Sequence, residues 1–120
     1  MIHIKKSLKT LLPTLKQRKR YLVFEIVSKT PIKGLKGVSE QILAKSQEFL
    51  GILGMAKAGI QILPKYNTAL QRGMIKVNHK HVDELKAALT FIDKLDNKDV
   101  IVKSVGVSGI LKKAEAKYLR

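Results

Sequence analysis

The sequence predicts an α+β sandwich whose elements follow the order β-α-β-β-α-β, and three observations predict it. The chain has 120 residues and 45% apolar content, which suffices for one domain with a single modest core. Two segments carry apolar residues at helical spacing. Four shorter segments are rich in β-branched, aromatic or large apolar residues, and Gly, Pro or Asn separates most of them.

The N-terminal third is predicted to be a basic arm followed by the first strand. Residues 1–20 hold seven Lys/Arg and no acid, and Pro13 interrupts any continuous helix. From Tyr21 to Ser28 the pattern is β-like, with one apolar face made by Leu22, Phe24 and Ile26. Because the opposite face carries residues such as Val23 and Val27, we expect a partly apolar open sheet face that suits a protein partner.

The middle of the chain predicts a helix and two strands. Residues 38–53 have a helical pattern with apolar positions 38, 42, 43, 49, 50 and 53, and Gly54 is the expected C-terminal stop. Ile60 to Leu63 is a short strand that Pro64 ends, which favours an edge position. Residues 72–77 form the third strand.

The C-terminal part predicts a second helix, a fourth strand and a helical tail. Asn78 is the expected N-cap of a helix over residues 80–95, whose core positions are 82, 85, 88, 89, 92 and 95. A loop over 96–99 leads to a strand over 100–105, and residues 110–120 have helical composition with four basic residues.

With right-handed crossovers, this order most simply folds as a ferredoxin-like (RRM-like) βαββαβ sandwich. We therefore expect a four-stranded antiparallel sheet with the two main helices on one face, plus a C-terminal basic helix. The predicted parts are a basic arm (1–20), a ferredoxin-like domain (21–105), and a Gly-Val-Ser-Gly turn with a basic tail (106–120).

The net charge of +15 is concentrated at the two ends of the chain. Residues 1–36 hold ten Lys/Arg against one acid, and residues 103–120 hold five against one. A nearly neutral body with two basic ends is the electrostatic pattern of a protein that binds a phosphate backbone. With no cysteine, no long apolar stretch and no secretory signal, we expect a cytoplasmic protein away from membranes.

Each motif also has a simpler interpretation. The basic run 16–20 could be a solvated stretch, and the cations of 110–120 could simply suit a helix C-terminus. Residues 106–109 could bring backbone N–H groups to a phosphate or merely form a bulge. They also resemble the start of a catalytic nucleophile turn, Gly-x-Ser-x-Gly, but the fifth position is Ile110 instead of Gly, which argues against catalysis. His79 and His81 do not share a helix face, so a metal site is not expected there. The third strand has no aromatic residue for base stacking.

Several segments together resemble the archaeal and eukaryotic ribonuclease P protein component 2 family. They occur in the same order as in that family, over roughly residues 11–119, and are 12–21 (LPTLKQRKRY), 53–58 (LGMAKA), 73–77 (GMIKV), 80–82 (KHV), 87–90 (AALT) and 105–113 (VGVSGILKK).

The resemblance implies a non-catalytic subunit that binds and stabilises the catalytic domain of the ribonuclease P RNA, which removes the 5′ leader of precursor tRNA. It also implies a TIM-barrel-like protein partner, homodimerisation within a heterotetramer, no cofactor bound by the protein, and Mg²⁺ held through the RNA. The alternatives are a ribosomal or general structured-RNA-binding protein of the same fold, or an acylphosphatase-like enzyme. An acylphosphatase-like enzyme would need a catalytic Arg in the loop after the first strand, and residues 29–34 of this chain contain none.

The predicted RNA-binding residues lie in the first strand and its entry, in the third and fourth strands, and in the C-terminal segment. They are Lys16, Arg18, Lys19, Arg20, Tyr21, Arg72, Lys76, Lys103, Ser108, Gly109, Lys112, Lys113, Lys117 and Arg120. In the predicted strand order the start of strand one lies beside the end of strand four. We therefore hypothesise that the two basic ends form one phosphate-binding patch.

Overall fold

The protein is a five-stranded antiparallel sheet with three helices, seen in a computed structural model that describes residues 18–30, 32, 35–95 and 97–120. The elements in chain order are β1 (Lys19–Ser28), α1 (Leu35–Ala58), β2 (Gln61–Asn67), β3 (Arg72–Asn78), a 3₁₀ turn (His79–His81), α2 (Val82–Thr90), β4 (Lys94–Leu95), β5 (Lys98–Ser108) and α3 (Leu111–Tyr118).

The strands lie side by side in the order β2-β3-β1-β5-β4, and every neighbouring pair is antiparallel. The predicted count of four strands is wrong, because Lys94–Leu95 pairs with Lys98–Asp99 as a short hairpin. The turn between them includes Asn97 at φ 60, a left-handed conformation that Asn tolerates better than most residues. As predicted, β2 is an edge strand, although it continues through Pro64 to Asn67.

The main core lies between one face of the sheet and helices α1 and α2. The alternating residues Leu22, Phe24 and Ile26 of β1 are all buried there, as their periodicity predicts. From the helices the same core receives Val38 and Ile42 of α1 and Leu85 and Leu89 of α2.

The opposite face of the sheet carries α3, so the expected open face is in part wrong. Val23 and Met74 are fully buried there against Ala114 of α3, and Tyr21 and Tyr118 pack around them. Helix α3 covers this end because its own apolar residues fall on one side and complete a small second core. Val27, at the far end of β1, remains exposed.

Both predicted helix ends also differ from the structure. Helix α1 runs past Gly54 to Ala58, and Gly59 at φ 60 follows it as the terminating residue. Gly51 interrupts α1 with φ 76 and ψ 169, and Ile52 and Leu53 directly after it are exposed, whereas Ala58 at the end of the helix is buried in the main core. Helix α2 ends at Thr90 instead of residue 95, yet Ile92 and Leu95 are still buried. Within the described residues, no helix is long and apolar enough to cross a membrane.

Candidate RNA-binding surface

One end of the sheet brings the start of β1 beside the end of β5. The register pairs Tyr21 with Ser108, so the entry to β1 and the turn after β5 are neighbours, as the hypothesis of one patch requires. Arg20 donates from Nη1 to the carbonyl oxygen of Lys19 at 3.2 Å. Its guanidinium also lies over Gly109, where a Cβ atom would be 3.3 Å from Arg20 Nη1. Glycine thus allows the arginine to lie flat against the turn.

Two lysines of neighbouring strands lie close together at this end. Lys19 is opposite Asn78, two residues along β3 from Lys76, and both lysine side chains are half-buried. Burial, and then the charge of the Lys76 ammonium, lower the pKa of Lys19. Two cations held this close repel each other, and a bound phosphate relieves that repulsion. The pair is therefore suited to an anionic ligand.

The turn between β5 and α3 is organised by Ser108. Its hydroxyl oxygen accepts a hydrogen bond from the backbone N–H of Ile110 at 3.1 Å and donates to the Ile110 carbonyl oxygen at 3.1 Å. This local ring of hydrogen bonds starts α3 immediately after the turn. Ser108 therefore contributes to the surface by directing the helix, and its hydroxyl is already engaged.

Helix α3 has a basic outer side and an apolar inner side. Leu111, Ala114 and Tyr118 face the sheet. The exposed predicted residues of this segment are Lys112, Lys113, Lys117 and Arg120. Lys117 Nζ also lies 5.4 Å from the centroid of the Tyr118 ring. Because the inner side packs on the sheet, the three lysines of α3 are all exposed to solvent, with Lys113 and Lys117 one turn apart.

Polar contacts hold the C-terminal end of α3 on the sheet. Arg72 Nη1 donates to the Tyr118 carbonyl oxygen at 3.0 Å, and Asn67 Nδ2 donates to that of Leu119 at 2.7 Å. These two side chains satisfy carbonyl groups that a helix end leaves without intrahelical partners. An ion pair of 2.7 Å between Lys65 and Glu115 adds a third tie.

Arg72 and Lys103 share one carboxylate, that of Glu25. Arg72 Nε lies 3.3 Å from Glu25 Oε1, and Lys103 Nζ lies 3.2 Å from Glu25 Oε2. The structure thus places these two predicted RNA-binding residues in an ion-pair network in the middle of the sheet, in which Arg72 and Glu25 are half-buried and Lys103 is exposed. Both charges are partly offset before any ligand arrives.

The part of the chain that carries most of this surface matches the model of a protein family. The model of the Rpp14/Pop5 family matches residues 20–119. The chain belongs to the Rpp14/Pop5 family. The matched region includes all five strands except Lys19 at the start of β1, and all three helices, so Arg20 and α3 are parts of the family domain.

Curated relatives of this Rpp14/Pop5 protein match it over nearly its whole length. Ribonuclease P protein component 2 of Thermococcus gammatolerans is 34% identical over 111 residues, which are 92% of this chain and 91% of the relative. The protein of the same name from Methanosarcina acetivorans is 31% identical over 94% of this chain and 83% of its own. In the structure of yeast ribonuclease MRP, one chain superposes with a TM-score of 0.60 over 78% of this chain and 75% of its own, at 16% identity. That likeness shows a shared fold.

In this Rpp14/Pop5 chain the sheet is covered where a base-stacking surface would have to be. Tyr21, the predicted aromatic contact, packs beneath α3 in the second core instead of facing solvent. Phe24 lies in the main core, as its place in the alternation with Leu22 and Ile26 predicts. The fully exposed residues among those predicted to bind RNA are consequently cations, together with Gly109. Of the other predicted residues, Arg18 is exposed before β1, and Lys16 lies outside the described residues.

His79 and Lys80 belong to the same end of the sheet, although the sequence analysis assigned them no binding role. The backbone N–H of His79 donates to the Arg18 carbonyl oxygen at 2.9 Å, and His79 Nδ1 lies 3.1 Å from the same oxygen. Antiparallel pairing of β1 with β3 was the signal that could have placed them beside Arg18. Across the described ranges, no group of three or more His, Asp or Glu side chains could hold a metal ion.

Proposed function

We propose that this protein is the non-catalytic subunit of ribonuclease P that binds and stabilises the catalytic domain of the RNA subunit, so that the RNA removes the 5′ leader of precursor tRNA. Curated relatives covering more than nine-tenths of the chain are named ribonuclease P protein component 2, which supports this role. The single observation that carries it is the basic end of the sheet continuing into the exposed lysines of α3.

The surface favours phosphate contact over base reading. Lys112, Lys113 and Lys117 are exposed on a helix whose other side is fixed, so they present charge at constrained positions. Lysine is a point charge without the planar fork that suits arginine to bidentate contacts. We infer that the protein recognises folded RNA through the sugar–phosphate backbone of the RNA. Lys19, Arg20 and Lys76 contact phosphates at the adjoining end of the sheet.

The remaining parts of the proposal concern the fold class and the surroundings of the protein. We assign the domain to the ferredoxin-like sandwiches, since β2-β3-β1-β5 with α1 and α2 on one face follows that strand order and β4 is a two-residue addition. We further propose a TIM-barrel-like protein partner, a homodimer within a heterotetramer, and a cytoplasmic location. Mg²⁺ is proposed to be held by the RNA, with no cofactor on the protein.

A salt titration tests the surface. RNA affinity is measured against NaCl concentration for the wild type and for the Lys112→Gln/Lys113→Gln double variant. Each lost phosphate contact lowers the log–log slope by about 0.7–0.9, so we expect the slope to fall by about 1.4–1.8. The matched control is Lys45→Gln/Lys86→Gln, which removes two cations from α1 and α2. Equal losses in both variants would show that only net charge matters.

A cleavage assay tests the role itself. Wild-type protein added to the ribonuclease P RNA of its source, together with the other protein subunits, should raise precursor-tRNA cleavage at limiting Mg²⁺. The double variant should do so only at higher protein concentration. No stimulation by the wild type would refute the proposed function, and recovery of ribosomal RNA with the tagged protein would favour the general RNA-binding alternative.

A further inference from the structure

The ring of His79 is held at the end of the sheet by the carbonyl oxygen of Arg18. The backbone N–H of His79 donates to this oxygen at 2.9 Å, and His79 Nδ1 lies 3.1 Å from it. Because a carbonyl oxygen can only accept, Nδ1 carries the hydrogen and donates. His79 also begins the 3₁₀ turn, in which the Asn78 side chain accepts from the backbone N–H of Lys80 at 3.0 Å. The position of the ring is therefore set before any ligand arrives.

Donation from Nδ1 determines what the other ring nitrogen of His79 can do. In a neutral imidazole one nitrogen donates and the other accepts, so Nε2 keeps a lone pair. The side chain is exposed, and Nε2 has no hydrogen-bond partner among the described residues. Nε2 thus offers a hydrogen-bond acceptor to a ligand at this end of the sheet.

The side chains around His79 offer a different kind of group. The cations of this end of the sheet are Arg18, Lys19, Arg20, Lys76 and Lys80. Lysine and arginine side chains donate hydrogen bonds and cannot accept them. The oxygen of the buried Asn78 side chain already accepts from Lys80, and the Ser108 hydroxyl is bonded to Ile110. Along the described ends of β1, β3 and β5, His79 therefore differs from its neighbours in offering an acceptor.

An acceptor on a nucleic-acid surface suits a hydroxyl group and not a phosphate. Phosphate oxygens accept hydrogen bonds, so the cations bind them. The ribose 2′-hydroxyl can donate, and it is the group by which a protein distinguishes RNA from DNA. Cations alone make no such distinction, because both nucleic acids carry phosphates. A chain of net charge +15 meets a large excess of competing sites on genomic DNA, so a contact specific to ribose has a clear use.

We propose that His79 Nε2 accepts a hydrogen bond from a ribose 2′-hydroxyl group of the bound RNA, and that this contact favours RNA over DNA at the basic end of the sheet. The inference rests on the proposed function, because it takes the ligand of this surface to be RNA. The cations beside His79 hold the adjoining phosphates, and the fixed ring selects the sugar between them.

Interference mapping on the ribonuclease P RNA of the source organism tests the proposal. RNA is transcribed with sparse phosphorothioate-tagged 2′-deoxynucleotides and is separated at pH 8, where imidazole is neutral, into protein-bound and free fractions. Iodine cleavage then shows which substitutions weaken binding. At one position or more, 2′-deoxy substitution should interfere with binding of the wild type and not with binding of His79→Ala.

His81 provides the matched control, because it lies in the same turn and its Nδ1 is 3.2 Å from Glu84 Oε2. The map of His81→Ala should retain the interference that His79→Ala loses. Identical maps for the wild type and His79→Ala would overturn the proposal. Interference at that position by the phosphorothioate alone would overturn it as well, since it would indicate a phosphate contact.

An affinity cycle measures the contact and separates it from the proposed function. A single 2′-deoxy substitution at the mapped position should weaken wild-type binding about two- to tenfold, as expected for one hydrogen bond. His79→Phe keeps a ring without the acceptor and should weaken binding of unmodified RNA by a similar factor. The two changes together should cost no more than either alone. Multiplied losses refute this contact alone, whereas a wild type that does not bind this RNA refutes the proposed function and the inference with it.

Discussion

The attachment of α3 to the sheet depends on a close contact between Gly106 and Tyr118. A Cβ atom at position 106 would overlap the Tyr118 ring and its hydroxyl oxygen. The positive-φ glycines of the described chain are Gly51 and Gly59, so the backbone at Gly106 does not itself require glycine. Gly106→Ala therefore isolates the cost of the clash, and we expect it to displace Tyr118 and loosen α3.

The magnitude follows from what α3 covers. Overpacking by one methyl group costs about 1–3 kcal/mol where neighbours must shift. Complete undocking would expose the buried Val23 and Met74, whose burial contributes about 1.5–3 kcal/mol each. The loss should thus be about 1–3 kcal/mol if Tyr118 moves locally, and about 3–6 kcal/mol if the whole helix leaves the sheet.

Urea unfolding of a double-mutant cycle measures this coupling. Tyr118→Ala alone should destabilise the protein by removing the ring from the second core. In the Tyr118→Ala background, Gly106→Ala should cost almost nothing, because the methyl group then occupies the space that the ring has left. Additive losses in the double variant would refute the reasoning, and so would a Gly106→Ala protein as stable as the wild type. RNA affinity should fall with Gly106→Ala, since α3 no longer holds its lysines in place.

Four further predictions concern three charged residues and one backbone position. Lys76→Gln should raise the pKa of Lys19 toward 10.5, measured by NMR titration, and an unchanged pKa would contradict the proximity of the two ammonium groups. Because folded Lys19 releases its proton at lower pH than the unfolded chain does, the unfolding free energy should rise with pH between those two pKa values, and Lys19→Gln should remove that rise. Glu25→Gln should lower stability by about 1 kcal/mol while increasing RNA affinity at low salt, because two cations lose their partner; reduced affinity would count against this account. Gly59→Ala should cost about 1–2 kcal/mol in thermal or urea unfolding, since φ is 60 there, and an equally stable variant would contradict a left-handed residue.

The strands of the main core were predictable because alternation is a local property of the sequence. One face of β1 carries the apolar residues Leu22, Phe24 and Ile26. It can be recognised without knowledge of any other element, and it is buried. The end of α2 was not predictable in the same way. Ile92 and Leu95 fit a helical stripe and are buried, yet a hairpin at Asn97 brings them to the core instead. Burial alone does not distinguish these two conformations.

The position of α3 could not be obtained from the segment itself. The composition of residues 110–120 indicates a helix, but its docking depends on Val23 and Met74 of two distant strands and on the space above Gly106. The sequence does contain a signal for this docking: a second set of apolar residues on β1 alternates with the core residues and therefore lies on the opposite face of the sheet. With no covering element predicted by the sequence, those residues indicate an open face for a partner.

The start of β1 and the turn before α3 lie side by side at one end of the sheet. Arg20 lies over Gly109, and the register brings β1 and β5 together there, so the first turn of α3 continues the positive surface of the sheet end. Farther along α3, Glu115 pairs with Lys65 and the helix end is bound by Arg72, whose charge Glu25 already offsets. Among the described residues, two cations near the C-terminal end of α3 are thus already paired with carboxylates. A phosphate backbone lying along α3 would be held most strongly at the N-terminal turn of that helix, where the helix dipole is also positive.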